Sequence, residues 1–278
     1  MKLAVLSGKG GTGKTFVSVN LAKAAEKAFY LDCDVEEPNG HLFLRPEETE
    51  SHKVYTYIPS FDKEKCTGCR ACVDFCHFNA LAFIFEKPVV FPEVCHSCGG
   101  CSLMCPAGAV TEEPKETGQV IIGKHKDITT VTGMLNIGEA SGVPVIADVL
   151  SKVPSDDTPV IIDCPPGSAC SVMESIGLAD YCLIVAEPTA FGLHNFKMVY
   201  ELVQVLKKPF GVVINKATDG NTIIEDFCRK ENIPVLCRIP YKKITAQNGA
   251  VAKIASDTDE ELKKVFEDLY RKLKEVAS

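Results

Sequence analysis

The chain has 278 residues, 46% of them hydrophobic and 24% charged, with a formal net charge of -7, fourteen cysteines and no tryptophan. That much chain can bury a core without disulfide staples, so the cysteines point to metal or redox chemistry. The longest apolar runs fall far short of the ~20 residues of a membrane helix, Leu3–Leu6 is too brief for a signal peptide, and the acidic balance argues against a general nucleic-acid binder. A cytoplasmic protein is expected, with neither membrane nor nucleic acid as partner.

In chain order, Lys2–Leu6 reads as a short buried strand ended by glycines. A helix pattern runs from Lys14 to about Lys27, and Phe29–Cys33 is a second strand. Strand, Gly-rich turn, helix, strand is the opening of a parallel α/β sheet. The alternation resumes late. Strands are expected at Pro159–Asp163, Tyr181–Ala186, Pro209–Asn215 and Pro234–Ile239. Helices are expected at Ser171–Leu178, Leu193–Leu206, Thr222–Glu231 and Asp259–Val276. In the last, Leu262, Phe266, Leu269 and Leu273 follow helical spacing. Its polar face mixes both charges, so packing on the sheet is preferred over lying on a membrane.

Between these stretches, over 59–118, helical periodicity fades and cysteines crowd together. Cys66, Cys69, Cys72 and Cys76 are followed by a matching second copy, Cys95, Cys98, Cys101 and Cys105, then Pro106. The spacing C-x2-C-x2-C-x3-C belongs to proteins that hold two [4Fe–4S] clusters, the fourth thiolate of each run serving the other cluster. One set is therefore Cys66, Cys69, Cys72 and Cys105; the other is Cys95, Cys98, Cys101 and Cys76. Paired C-x2-C runs also bind zinc, but a third cysteine at the same spacing and the duplication favour clusters. The segment resembles bacterial dicluster ferredoxins, which implies one-electron transfer. His77 stands where that pattern has proline.

Ser7-Gly8-Lys9-Gly10-Gly11-Thr12-Gly13-Lys14-Thr15 follows the first strand and opens the first helix. It fits the P-loop pattern, in which backbone N–H groups wrap phosphates at a helix N-terminus, the lysine reaches the β/γ phosphates and the hydroxyl holds Mg²⁺. ATP contacts are thus expected from Gly8 through Thr15.

Lys9 inside that loop resembles the signature of the MinD/ParA superfamily, which includes the nitrogenase iron protein and Mrp-type iron–sulfur carriers. Asp32-Cys-Asp34 with Pro38-Asn39 resembles its first switch, and Asp163-Cys-Pro-Pro-Gly167 its second. The resemblance implies an α/β fold, mainly parallel and flanked by helices, divided as ATPase 1–58, ferredoxin insert 59–118 and ATPase 119–278. It implies an ATP-bound homodimer in which Lys9 reaches the partner's phosphates, Asp34 positions the attacking water, Thr15 and Asp163 serve Mg²⁺, and Asn215 meets the base. No Asp stands at position 218, which favours adenine over guanine. The plain alternatives are a turn residue at Asp34 and a solvated cation at Lys9. Cys170 lies where the nitrogenase iron protein has a bridging-cluster ligand. No second cysteine lies in 115–150, so a helix-start residue is favoured. The function expected is coupling of ATP-driven switching to electron transfer toward an unidentified redox partner; the alternative is cluster assembly or carriage.

Overall fold

The computed structural model describes residues 1–277. The first elements are β1 (Lys2–Leu6), α1 (Lys14–Ala24), β2 (Ala28–Asp32), α2 (Gly40–Leu44) and β3 (Glu47–Phe61). The cysteine segment contributes α3 (Ala71–Phe75), β4 (Leu81–Ile84), β5 (Lys87–Val90) and α4 (Gly100–Leu103). The chain then forms β6 (Val110–His125), β7 (Ile128–Leu135), α5 (Val143–Leu150), β8 (Val160–Asp163) and α6 (Cys170–Ile176). The final run is β9 (Tyr181–Ala186), α7 (Ala190–Val205), β10 (Phe210–Ala217), α8 (Ile223–Lys230), β11 (Val235–Pro240), α9 (Lys243–Ala250) and α10 (Glu260–Val276).

Nine strands form one sheet in the order β11-β10-β9-β1-β8-β2-β7-β6-β3. The sheet is parallel from β11 to β7, and β6 runs antiparallel to both β7 and β3. Apolar residues at alternate positions of the central strands face opposite ways, which a sheet covered on both sides requires. On one side Ala4, Leu6, Leu31 and Ile184 pack with Ile146, Val172 and Phe196 from α5, α6 and α7. On the other, Leu3, Val5 and Leu183 pack with Val17 of α1 and with Leu262, Phe266 and Leu269 of α10. The last helix thus buries its apolar stripe in the core; each such side chain contributes about 1.5–3 kcal/mol. No helix among the described residues is long and apolar enough to cross a membrane.

Most expected ends shift by a few residues, each for a local reason. The first helix stops at Ala24 rather than near Lys27, because Glu26 turns left-handed at φ 61°. Helix α7 starts earlier than Leu193, since the Thr189 hydroxyl caps it by accepting from Gly192 N at 2.9 Å. The larger departure is the ribbon of β3 and β6, paired from Glu47 opposite Lys124 to Phe61 opposite Val110. Only part of it lies in the sheet: β7 pairs with β6 from Gly118 onward. On the far side of Gly118 the ribbon pairs with no third strand among the described residues and carries residues 62–109 between its ends. Positions 59 and 118, the expected borders of the insert, lie inside these continuous strands.

Candidate functional site

The loop after β1 sits where neighbouring connections diverge, since β1 lies between β8 and β9; that is the usual ligand crevice of such sheets. Gly13 adopts φ +98°, and a Cβ there would lie 2.1 Å from Asn215 Nδ2. A Cβ on Gly8 would lie 2.1 Å from the Asn195 carbonyl oxygen in α7. These two positions need glycine for conformation and for close approach, respectively. Thr12 and Ser7 hydroxyls both donate to Lys9 O, at 3.1 and 3.0 Å. Asn215 Nδ2 donates to Thr12 O at 2.8 Å, and Lys216 Nζ to Gly11 O at 2.7 Å. The second switch joins through Gly167 N, which donates to Ser7 O at 2.8 Å.

Lys14 is buried between two of the expected carboxylates. Its Nζ lies 2.7 Å from Asp163 Oδ1 and 3.2 Å from Asp34 Oδ2. Burial alone lowers its basicity, but Asp163 and Asp34 outweigh that and hold the ammonium well above the ordinary lysine value. Asp163 also accepts from the Tyr30 hydroxyl at 2.8 Å. Asp32, fully buried, accepts from Gly40 N at 2.9 Å and from Asp34 N at 3.3 Å. Burial first, then the Asp163 charge, raises its pKa to about 8, with Lys14 and the Gly40 N–H opposing. Asp163 and Asp34 thus share one cation, and Asp163, at the start of the second switch, is its nearest partner. Thr15 is the second residue of α1, directly after Lys14.

Lys9 has two neighbours on the segment after β9. Its Nζ pairs with Glu187 Oε2 at 3.0 Å and lies 5.7 Å from the Phe191 ring centre. Burial pulls the Glu187 carboxyl upward, but the Lys9 hydrogen bond and the Lys216 and Lys9 charges hold it below its usual range. Glu187 and Tyr30 escaped the sequence reading. Only the position of Glu187, directly after the wholly apolar β9, could have marked it. Beside Asn215 a cavity of about 340 Å³ is lined by Phe16, Phe43, Lys216, Pro240 and Tyr241, apolar walls suited to a planar base.

The cysteine segment repeats in three dimensions. Gly68, Arg70 and Asn79 of the first half and Ser97, Gly99 and Gly108 of the second all turn left-handed. Short helices start at Ala71 and Gly100. One cavity is lined by Cys66, Cys69, Cys72 and Cys105, together with Phe61, Phe83 and Val110. The other is lined by Cys76, Cys95, Cys98 and Cys101, together with Tyr57, Phe75 and Leu81. Each cavity therefore holds three thiols from one half and one from the other. Cys105 Sγ accepts from Ala109 N at 3.3 Å. Burial raises the thiol pKa of Cys72 and Cys101 while their own backbone N–H groups and the next residue's oppose it. Four thiols around a void, apolar walls and amides aimed at sulfur are the surroundings an iron–sulfur cluster needs.

The remaining cysteines lie apart. Cys33, Cys164 and Cys182 are fully buried, Cys228 is buried, Cys237 is half-buried, and Cys170 is exposed at the start of α6.

Residues 3–252 match the CobQ/CobB/MinD/ParA nucleotide binding domain. An uncharacterized protein of Methanocaldococcus jannaschii is 29% identical over 280 residues, covering 99% of this chain and 97% of its own. The iron-sulfur cluster carrier protein of Pyrococcus horikoshii is 26% identical over 300 residues, covering 99% of this chain and 87% of its own. Among solved structures, the septum site-determining protein MinD of Pyrococcus horikoshii, complexed with Mg-ADP, superposes with a TM-score of 0.64 at 16% identity. That match covers 100% of this chain and 97% of the other. The chain belongs to the CobQ/CobB/MinD/ParA nucleotide-binding family.

Proposed function

We propose that this member of the family is an ATP-hydrolysing iron–sulfur protein in which nucleotide-driven switching controls electron transfer through two [4Fe–4S] clusters. The observation that carries the reading is the partition of eight thiols, three plus one, into two cavities on a ribbon continuous with the P-loop sheet. Cys66, Cys69, Cys72 and Cys105 would hold one cluster, and Cys76, Cys95, Cys98 and Cys101 the other. Bound there, the clusters supply one-electron transfer.

ATP phosphates enter the loop from Gly8 to Thr15, where backbone amides and the start of α1 favour negative charge. Lys14 then leaves Asp34 and Asp163 for the phosphates. Thr15 and Asp163 would hold Mg²⁺, which would supply charge to offset that of the triphosphate. Asp34, released from Lys14, becomes the carboxylate that orients the attacking water. Asn215 and the cavity beside it take the adenine. Lys9 leaves Glu187 to reach the phosphates of a second copy, so a homodimer forms with ATP. A redox protein supplies or takes the electrons. The experiment is electron transfer from the reduced chain to an artificial acceptor with and without MgATP. A nucleotide-dependent rate supports the reading, and an unchanged rate removes it.

Cluster delivery is the second reading. It is favoured by the full-length similarity to the iron-sulfur cluster carrier protein. Transfer of intact clusters to an apo-ferredoxin, dependent on ATP, would establish it.

A further inference from the structure

Besides the ribbon itself, one ammonium ties the cysteine segment to the nucleotide-binding part. Lys115 lies on β6 opposite Thr56, on the outer part of the ribbon. Its Nζ donates to Pro92 O at 2.8 Å and to Glu139 Oε2 at 2.8 Å. Pro92 belongs to the turn that leads into Cys95, closed by Val94 N donating to Phe91 O at 3.2 Å. Glu139 belongs to the loop that follows β7. Both side chains are largely buried, 19% and 12% exposed. A charged donor with two acceptors, partly withdrawn from water, holds its partners more firmly than a surface pair.

The other end of that loop reaches the first switch. Leu135 N donates to Val35 O at 2.8 Å, and Asn136 N to Thr117 O at 2.9 Å. The Val35 side chain wedges between Gly133 and Gly142, where a Cβ on either would lie 2.7 Å from one of its methyl carbons. Val35 directly follows Asp34, which holds Lys14. Close contacts therefore join the residue after Asp34 to the loop bearing Glu139. The other cysteine cavity has its own cation: Lys87 Nζ donates to Cys66 O at 2.9 Å and Lys63 O at 3.0 Å, both inside the segment.

We infer that the Lys115–Glu139 ion pair transmits the state of the nucleotide site to the turn before Cys95. Lys115 and Glu139 are then positioning residues for the cluster held by Cys76, Cys95, Cys98 and Cys101, whereas the cluster of Cys66, Cys69, Cys72 and Cys105 lies off this route. The inference rests on the coupling reading above. Contiguity alone does not establish coupling, so the experiment must read the coupling itself. Full-length chain reconstituted with iron and sulfide is poised anaerobically, and both clusters are followed by EPR with and without MgATP. The same is done for Glu139→Gln, which keeps size and removes charge, and for Lys115→Arg, which keeps a cationic donor for both Pro92 O and Glu139. In the native chain, MgATP should shift the signal or potential of one cluster. In Glu139→Gln that shift should be lost with iron content and ATP binding unchanged, and in Lys115→Arg it should be kept. A Glu139→Gln chain that keeps the full shift, or a Lys115→Arg chain that loses it while loading its iron, overturns the inference but leaves the coupling reading standing. A native chain with no shift overturns both.

Discussion

Replacing Lys14 by methionine tests the charge balance of the nucleotide site most sharply. Lys14 lies against Asp163 and Asp34, with Asp32 buried close enough to feel its charge. Removing one partner of a buried pair costs about 3–5 kcal/mol, because the charge left behind has lost its compensation. At about 2–4 °C per kcal/mol for a chain of this length, the melting temperature should fall by ~6–20 °C. The loss must depend on pH. The native Lys14 pKa is raised, so its stabilisation is complete below the ordinary lysine value and disappears only as pH climbs through the raised one. In the variant Asp32 and Asp34, whose pKa values burial already raises, can neutralise themselves by taking up protons. The deficit should therefore be large at pH 8 and shrink toward pH 5. Nucleotide-free chains melted anaerobically at one scan rate and followed by circular dichroism give the comparison. A Lys14→Met chain as stable as the native one at pH 8, or equally weakened at pH 5, would refute the reasoning.

Asp32 supplies the converse experiment. Its pKa is raised to about 8, so the folded chain binds a proton there that the unfolded chain has released, and stability falls as pH rises from about 4 toward 8. Asp32→Asn should match the native melting temperature or fall slightly below it at pH 5, one acceptor being lost, yet exceed it at pH 9; curves that do not cross count against this. Cys105→Ser should strip iron from the set of Cys66, Cys69 and Cys72, and Cys76→Ser from that of Cys95, Cys98 and Cys101. In each case EPR should lose one cluster signal while about half the iron remains. Asn215→Ala removes the 2.8 Å bond to Thr12 O. It should cost about 1 kcal/mol of stability and weaken ATP binding several-fold in equilibrium dialysis.

The nucleotide-binding half was largely legible in the residues because each part of its pattern has one physical use. An apolar run such as Tyr181–Ala186 is buried on both faces and reads as a central parallel strand. A Gly-rich turn before a helix reads as a phosphate loop. Each of the two sets read from the cysteine spacing lines one cavity. The ribbon was not legible for the opposite reason. β3 is an edge strand whose Glu47–Ser51 and Lys53 face solvent, and β6 carries Pro114 and Gly118. Neither strand alternates apolar and polar residues along its whole length. Glu187 and Tyr30 were missed because both matter through partners far away in the chain, Lys9 and Asp163, and neither stands in a local motif.

The central claim is that nucleotide state reaches the electron carriers. Its most direct test is an anaerobic redox titration of the reconstituted full-length chain, read by EPR with no nucleotide, with MgADP and with MgATP. The account predicts two [4Fe–4S] signals, and with MgATP a changed midpoint potential or line shape for the one held by Cys76, Cys95, Cys98 and Cys101. Two clusters with the same potentials and spectra in all three conditions would contradict it.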